Sequence, residues 1–254
     1  MKNELKIVGK RSLTSNVIEL ELEGSMVQNM HKPGQFLHIK VPQNNLILRR
    51  PISIAQINRD LNRCTVVIRK QGPGTQAILE TVIESYLDVL GPLGNGFPID
   101  MIHQGQRALL IGGGIGVPPL LECVKQLHLN DVKCTIVLGF MHQEHIFYEA
   151  EFKQYGEVIS VTDDGSNGRK GHVGSVLDTL DSNFDAIYAC GPKGMNRMLN
   201  ERFKAHPNAY VSLEERMGCG MGACAGCVVF TSDNQRNYRV CIDGPVFRCG
   251  EVQI

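Results

Sequence analysis

Four closely spaced cysteines near the C-terminus have the spacing of a metal-binding site. Cys219, Cys224 and Cys227 follow the pattern C-x4-C-x2-C, and Cys241 comes after thirteen further residues. This is the ligand spacing of a plant-type 2Fe-2S cluster, in which four thiolates hold two irons. The small residues between the first three cysteines allow backbone N–H groups to point at the cluster sulfurs. A four-cysteine zinc site is the alternative, although zinc ligands usually come as pairs of C-x2-C turns.

Two glycine-rich loops predict a nucleotide site. Residues 112–116 (GGGIG) lie between a predicted strand and a predicted helix, and residues 190–194 (CGPKG) end another apolar strand. Glycine lets a ligand approach the backbone, and a helix N-terminus attracts a pyrophosphate. The first loop departs from G-x-G-x-x-G, so a plain tight turn is its alternative interpretation, but two such loops on one sheet favour a nicotinamide nucleotide. The candidate contacts are Gly113, Gly114, Gly116, Cys190, Gly191 and Pro192.

The choice between NAD and NADP depends on the residues that follow the second strand of the same region. A 2′-phosphate favours Arg or Lys there, whereas a free 2′-hydroxyl favours an acceptor. Residues 139–144 (GFMHQE) contain neither Arg nor Lys. The sequence therefore favours NAD. His142 and His145 are interpreted as solvated loop residues because no carboxylate or cysteine ligand set lies near them in the sequence.

The N-terminal region contains a second group of candidate phosphate and flavin contacts. Arg49 and Arg50 precede a short apolar strand that ends in Ser53 and Ile54, and a guanidinium group suits bidentate binding of phosphate. The segment Val67–Arg69 ends another strand, and residues 72–75 (GPGT) form a loop before a predicted helix. Taken singly, each of these is more typical of a surface position than of a ligand site. Their combination ahead of a nucleotide region favours a flavin site.

The elements that must position these residues divide the chain into three parts. Short strands such as 18–22, with alternating apolar and Glu side chains, predict a small antiparallel β-barrel. After about residue 104, apolar strands alternate with predicted helices at 147–152, 176–180 and 196–203, which indicates βαβ units and a Rossmann-like parallel α/β sheet. The predicted fold is multidomain, β plus α/β, with domains at 1–100, 101–207 and 208–254.

Composition excludes several classes of protein. The 254 residues carry 26 Lys plus Arg and 26 Asp plus Glu, so no net charge draws the chain to nucleic acid or to an anionic membrane. Glycines and prolines interrupt the most apolar stretch, 108–121, which excludes a membrane span. Nine cysteines and a start without an apolar leader predict a cytoplasmic protein. Cys64, Cys123 and Cys134 are expected to be buried apolar residues, and Cys249 is not expected to be a ligand.

Taken together, these motifs resemble the ferredoxin-NADP reductase superfamily. The resemblance is carried by R-x-x-S at residues 50–53, G-P-L-G-x-G at 91–96, G-G-G-x-G at 112–116 and C-G-P-x-x-M at 190–195. Within it, the cysteine pattern followed by residues 243–247 (DGPVF) is similar to the electron-transfer subunits of type B dihydroorotate dehydrogenases. The resemblance covers essentially the whole chain.

The resemblance implies an electron relay with three cofactors. Electrons from dihydroorotate, oxidised at the FMN of a separate catalytic subunit, would pass through the 2Fe-2S cluster and FAD to NAD, in an assembly of two copies of each subunit. Cys219, Cys224, Cys227 and Cys241 would hold the cluster. FAD would be held by Arg50, Pro51, Ile52, Ser53, Val67, Ile68, Arg69, Gly74 and Thr75. The alternatives are an NAD(P)H-linked reductase subunit of a hydrogenase-like or oxygenase complex, and a non-redox zinc module.

Overall fold

The N-terminal part of the chain is a closed antiparallel barrel. The computed structural model describes residues 3–43, 45–181 and 183–254, so Met1, Lys2 and Asn44 of the predicted first domain and Ser182 of the second lie outside it. Strands follow the barrel in the order β1-β2-β5-β4-β3-β6. Their bounds are β1 Asn3–Ser12, β2 Val17–Glu23, β3 Phe36–Ile39, β4 Arg50–Asn58, β5 Arg63–Arg69 and β6 Tyr86–Leu93, with helix α1 at Pro73–Glu80 before β6.

Alternation of side chains explains why these segments form a barrel. Leu20 and Leu22 of β2 are fully buried, whereas the glutamates between and after them are partly exposed. On β3, Leu37 and Ile39 point into the barrel core, while Phe36 packs outside it against the C-terminal half of the chain. One face of each strand therefore fills the barrel, and the other is free to contact the rest of the protein.

The second half of the chain is built around a six-stranded sheet in the order β14-β11-β10-β7-β8-β9. The strands are β7 Arg107–Gly113, β8 Lys133–Phe140, β9 Gly156–Thr162, β10 Ala186–Cys190, β11 Ala209–Ser212 and β14 Val246–Arg248. The intervening helices are α2 Pro118–Leu129, α3 Glu149–Phe152, α4 Val173–Leu177 and α5 Lys193–Arg202. All strand pairs are parallel except β11–β14. A separate hairpin pairs β12 Val228–Phe230 with β13 Asn237–Arg239.

The structure agrees with the expected fold class and corrects several details. Helix α3 begins at Glu149 rather than at 147, because Tyr148 has a left-handed backbone (φ 65°) that a helix does not continue through. Helix α4 spans Val173–Leu177 instead of 176–180. Helix α5 spans Lys193–Arg202 instead of 196–203. The C-terminal segment also contributes to the nucleotide sheet, because β14 pairs with β11 at its edge.

Buried polar contacts join the barrel to the sheet. The Glu122 carboxylate of α2, only 3% exposed, accepts a hydrogen bond from the backbone N–H of Ile57 at 2.9 Å. The Tyr148 hydroxyl donates to Glu19 on β2. None of the helices in the described part of the chain has the length and apolar character that a membrane crossing requires.

Candidate functional site

A cleft of about 730 Å³ lies between the barrel and the sheet. It is lined by β4 and β5 of the barrel, by Cys190 at the end of β10, and by the segment that follows β11. Of the nine candidate flavin residues, all but Gly74 line it, namely Arg50, Pro51, Ile52, Ser53, Val67, Ile68, Arg69 and Thr75. The structure thus brings the separate N-terminal motifs to one surface.

The arginines of this region have different environments. Arg49 is held by the barrel, since its guanidinium donates to the Asp88 carboxylate at 2.8 Å. Arg50 lines the cleft and donates to the backbone carbonyl of Leu48 at 2.6 Å. A Cβ at Gly74 would overlap the Arg50 guanidinium, so Gly74 makes room for this side chain instead of lining the cleft itself.

Arg69 carries an unfilled hydrogen-bond donor at the cleft. Its Nε is buried and has no partner among the described residues, while its Nη2 donates to Gln71 at 3.0 Å. Buried donors in proteins are nearly always bonded, so this atom fits an acceptor supplied by a bound molecule. A phosphate or a flavin oxygen is such an acceptor, and the residues present therefore fit FAD.

One wall of the cleft was not predicted from the sequence. Ser212, Leu213, Glu214, Glu215, Arg216 and Met217 line it. Partial enclosure raises the pKa of the Glu214 carboxyl, and the nearby Arg69 opposes this effect. The signal that could have identified these residues is their place directly after β11, because ligands in α/β folds bind at the carboxyl ends of parallel strands.

The two glycine loops are in direct contact. A Cβ at Gly116 would lie 2.5 Å from the backbone of Cys190 and Gly191, and one at Gly113 would lie 2.9 Å from the Pro192 ring. Gly114, in contrast, has a left-handed backbone (φ 51°) and faces open space next to the start of α2. Part of the glycine content therefore serves packing of one loop on the other, and Gly114 is free to meet a nucleotide.

Cys190 is a buried thiol at the junction of these loops and the cleft. Burial raises the pKa of Cys190 well above its ordinary value, Glu214 adds to this, and a hydrogen bond with Ser212 opposes it. The thiol is therefore neutral near pH 7. A neutral group suits a surface on which a nicotinamide ring would lie.

The loop after β8 has no Arg or Lys among residues 139–144, and its His142 contacts Asp164 of the loop after β9. His142 Nδ1 lies 2.9 Å from Asp164, and the Gln143 N–H donates to Ser166 at 2.7 Å. The His142 ring, followed by Ser166, holds the pKa of Asp164 well below its usual range. His142 and His145 lie in this exposed or half-exposed loop. The arrangement is compatible with a nucleotide lacking a 2′-phosphate.

The four candidate cysteine ligands interact as two pairs. Cys224 lowers the pKa of the Cys219 thiol and Cys227 raises the pKa of the Cys241 thiol, so the members of each pair are neighbours. Among the residues that the structure describes, no three His, Cys, Asp or Glu side chains converge as ligands of one metal ion. Two pairs suit a binuclear cluster, in which each iron takes two thiolates, better than a single zinc ion.

Backbone N–H groups point at the first ligand. Met221 and Ala223 donate to Cys219 Sγ at 3.4 and 3.3 Å. The Met221 N–H, with help from Cys224 and Ala223, lowers the pKa of the Cys219 thiol to about 6. Burial, followed by the adjacent Cys227, raises that of Cys241 to about 11. The backbone N–H groups thus stabilise a thiolate at Cys219. The residues present therefore fit an iron–sulfur cluster.

Hydrogen bonds hold the cysteine loop, residues 218–227, and the segment that follows it in place. Arg239 donates to the Gly222 carbonyl at 3.2 Å and to the Asp243 carboxylate at 3.2 Å. On the barrel side, the Asn95 side chain donates to the carbonyl of Val246 at 2.8 Å and accepts from its N–H at 3.2 Å. The 91–96 loop therefore contacts the C-terminal segment. Cys64, Cys123, Cys134 and Cys249 are buried, the first three as expected.

Comparison with known protein families assigns a domain to each part. Residues 4–97 match an oxidoreductase FAD-binding domain, residues 110–201 match an oxidoreductase NAD-binding domain, and residues 214–253 match the iron-sulfur cluster binding domain of dihydroorotate dehydrogenase B. Among solved structures, an NADH-dependent reduced ferredoxin-NADP oxidoreductase is similar, with a TM-score of 0.87 and 29% identity over 98% of this chain and 89% of that chain.

Full-length relatives agree with this assignment. The dihydroorotate dehydrogenase B (NAD(+)) electron transfer subunit of Streptococcus mutans is 48% identical over 99% of this chain and 98% of its own length. That of Bacillus caldolyticus is 47% identical over 99% of this chain and 98% of its own length. The chain therefore belongs to the family of dihydroorotate dehydrogenase B (NAD(+)) electron transfer subunits.

Proposed function

We propose that this chain passes electrons from dihydroorotate oxidation, carried out by an FMN-containing partner subunit, to NAD+ in pyrimidine biosynthesis. The observation that carries the proposal is the course of residues 212–217. They line the cleft together with the flavin candidates and with Cys190, and Cys219 follows two residues later. One short segment thus connects the candidate flavin site with the candidate cluster site.

Each group of residues has a defined task in this proposal. Cys219, Cys224, Cys227 and Cys241 would hold a 2Fe-2S cluster, and the cleft would hold FAD. When bound, the cluster supplies single-electron transfer and the flavin connects it to the two-electron chemistry of nicotinamide. The 112–116 and 190–192 loops would bind the nucleotide against the cleft, and Arg69 would supply a hydrogen-bond donor to the flavin.

The partner surface is proposed at the cysteine loop. Met221 is 58% exposed and Ile242 is 44% exposed, and a Cβ at Gly222 would overlap Ile242, so the two apolar side chains lie on adjacent segments. Cys224 is exposed in the same loop. An apolar surface beside the cluster ligands suits docking of the catalytic subunit, as an assembly of two copies of each chain. We place this assembly in the cytoplasm.

A second candidate is an NAD(P)H-linked flavin and iron–sulfur reductase subunit of a different complex. The similarity to the NADH-dependent ferredoxin-NADP oxidoreductase, with its TM-score of 0.87, favours this alternative. The two functions differ in their electron donor. Only the first requires a partner that oxidises dihydroorotate.

The deciding experiment is anaerobic purification of the tagged chain from its own cells, followed by analysis of flavins, iron and bound proteins. We expect FAD and iron on this chain, FMN on a co-purifying subunit, a mass that fits two copies of each chain, and NADH formation when dihydroorotate and NAD+ are added. A colourless zinc protein would refute the redox assignment. A coloured complex that reduces NAD+ only with another donor would support the second candidate.

A further inference from the structure

His38 is a fully buried histidine between the candidate flavin strand and the candidate cluster loop. It lies on β3, opposite Pro51 of β4 in the sheet register, and its side chain is 0% exposed. Its neighbours Leu37 and Ile39 point into the barrel, so His38 points the other way, toward the C-terminal segment.

The ring contacts the cluster loop directly. A Cβ at Gly220 would lie 2.5 Å from His38 Nδ1, and Gly220 has a left-handed backbone (φ 72°). The backbones of Arg49, Cys219 and Met217 also approach the ring, so two of its three backbone neighbours belong to the segment that carries the cysteines. Phe36, two residues earlier on the same strand face, lines the flavin cleft, but His38 does not. The imidazole therefore belongs to the cluster side of this strand.

Both ring nitrogens of His38 lack a well-formed hydrogen bond within the described residues. An imidazole carries at least one N–H in either protonation state, and a buried N–H without a partner is destabilising. Native proteins rarely keep such a donor unless a bound group satisfies it. At this position the group that the cysteine pattern implies is the iron–sulfur cluster with its sulfur acceptors.

We propose that His38 is a positioning residue of the iron–sulfur site, whose ring supports the Cys219–Gly220 turn and donates an N–H to the sulfur atoms of that site. The inference rests on the proposed function. Reduction adds negative charge to a cluster, and a donor to its sulfurs stabilises that charge. His38 therefore raises the reduction potential of the cluster. It does so from the side of the site that faces the flavin strand.

The test compares His38→Met with His38→Gln in the purified complex. Both side chains are unbranched and close to histidine in size, but only Gln carries an N–H. The readouts are the midpoint potential of the cluster, from an EPR-monitored redox titration, and the EPR spectrum of the reduced cluster. A hydrogen bond to a charged group is stronger than one to a neutral group. Because the oxidised cluster also accepts this hydrogen bond, only part of its strength favours reduction. We therefore expect H38M to disfavour the reduced cluster about several-fold to tenfold, and tenfold corresponds to about 59 mV for one electron.

The remaining variants separate the possible outcomes. H38Q should keep the wild-type potential, and so should His206→Met, which removes another half-buried histidine whose ring contacts the backbone of Phe184 and Asn208. If H38M loses the cluster and H38Q retains it, the result also supports the proposal that an N–H donor at this position is needed. A wild-type potential and spectrum in H38M, equal shifts in H38M and H38Q, or loss of the cluster in both variants would overturn the inference. Absence of a 2Fe-2S signal from the wild-type complex would instead refute the proposed function.

Discussion

Replacing Gly116 by alanine tests whether contact between the two glycine loops is needed for nucleotide binding. A Cβ at this position would lie 2.5 Å from the backbone of Cys190 and Gly191, almost 1 Å closer than the 3.4 Å at which ordinary contact begins. Neither neighbour is a flexible side chain, so the loops must separate. Overpacking of this kind costs about 1–3 kcal/mol, and a displacement of about 1 Å at a binding site lowers rates by up to about 100-fold.

We therefore expect Gly116→Ala to lower kcat/KM for NADH about 10- to 100-fold, while the bound flavin and the cluster absorbance stay at their wild-type levels. The assay is NADH oxidation with an artificial electron acceptor, combined with a visible spectrum of each preparation. Unchanged kcat/KM for NADH in a folded G116A protein would refute the reasoning, because the two loops would then tolerate separation.

The matched control is Gly156→Ala at the start of β9. A Cβ there would also overlap backbone, at the Cys134 carbonyl of the neighbouring strand. Gly156 lies at the amino end of its strand, away from the loops that follow β7 and β10. Both variants should lower the free energy of unfolding by about 1–3 kcal/mol, and only G116A should affect NADH. Equal kinetic losses in the two variants would indicate general destabilisation.

The remaining predictions concern the cysteines and the end of β8. Cys241→Ser should lose the cluster absorbance and electron transfer to the partner while keeping FAD, whereas Cys249→Ser should keep both; an intact cluster in C241S would identify Cys249 as the fourth ligand. Steady-state kinetics should favour NADH over NADPH, and equal efficiencies would contradict the interpretation of residues 139–144. The hydrogen bond to Asp164 raises the pKa of His142, so the pair stabilises the fold below the unfolded histidine pKa of about 6.5 and this contribution is lost as the pH rises through the raised value. An NMR titration should give His142 a pKa above the ordinary value and Asp164→Asn should abolish the shift; identical curves would exclude the pair in solution.

The sequence predicts elements well where a pattern repeats along them. Alternation in β2 and the strand–helix order after residue 104 lead to the barrel and the parallel sheet that the structure contains. Boundaries are predicted less well where one residue interrupts a pattern, as the left-handed Tyr148 does before α3. The three residues of β14 contain no pattern that predicts pairing with β11, because pairing across the sheet depends on tertiary contacts.

For the candidate site, the sequence indicates where a side chain is excluded but not what excludes it. From the sequence, Gly74 and Gly116 are both predicted to let a ligand approach the backbone. In the structure the first makes room for Arg50 and the second for the backbone of the facing loop. The cleft wall at 212–217 has neither a glycine motif nor a cysteine pattern. His38 lies in a strand whose sequence has no feature that distinguishes this residue. Their importance is visible only once distant parts of the chain are brought together.

The anchoring of the C-terminal segment determines how charge must travel through this protein. Strand β14 is bonded into the nucleotide sheet, and the turn before it, at Asp243 and Gly244, is bonded to Asn95 directly after the barrel. The cysteine loop is thus not carried on a flexible arm that swings between two docking positions. A cluster held by this loop would keep a fixed distance from a flavin in the cleft, so the rate of electron transfer within the subunit would depend on driving force and separation, and not on the viscosity of the solvent.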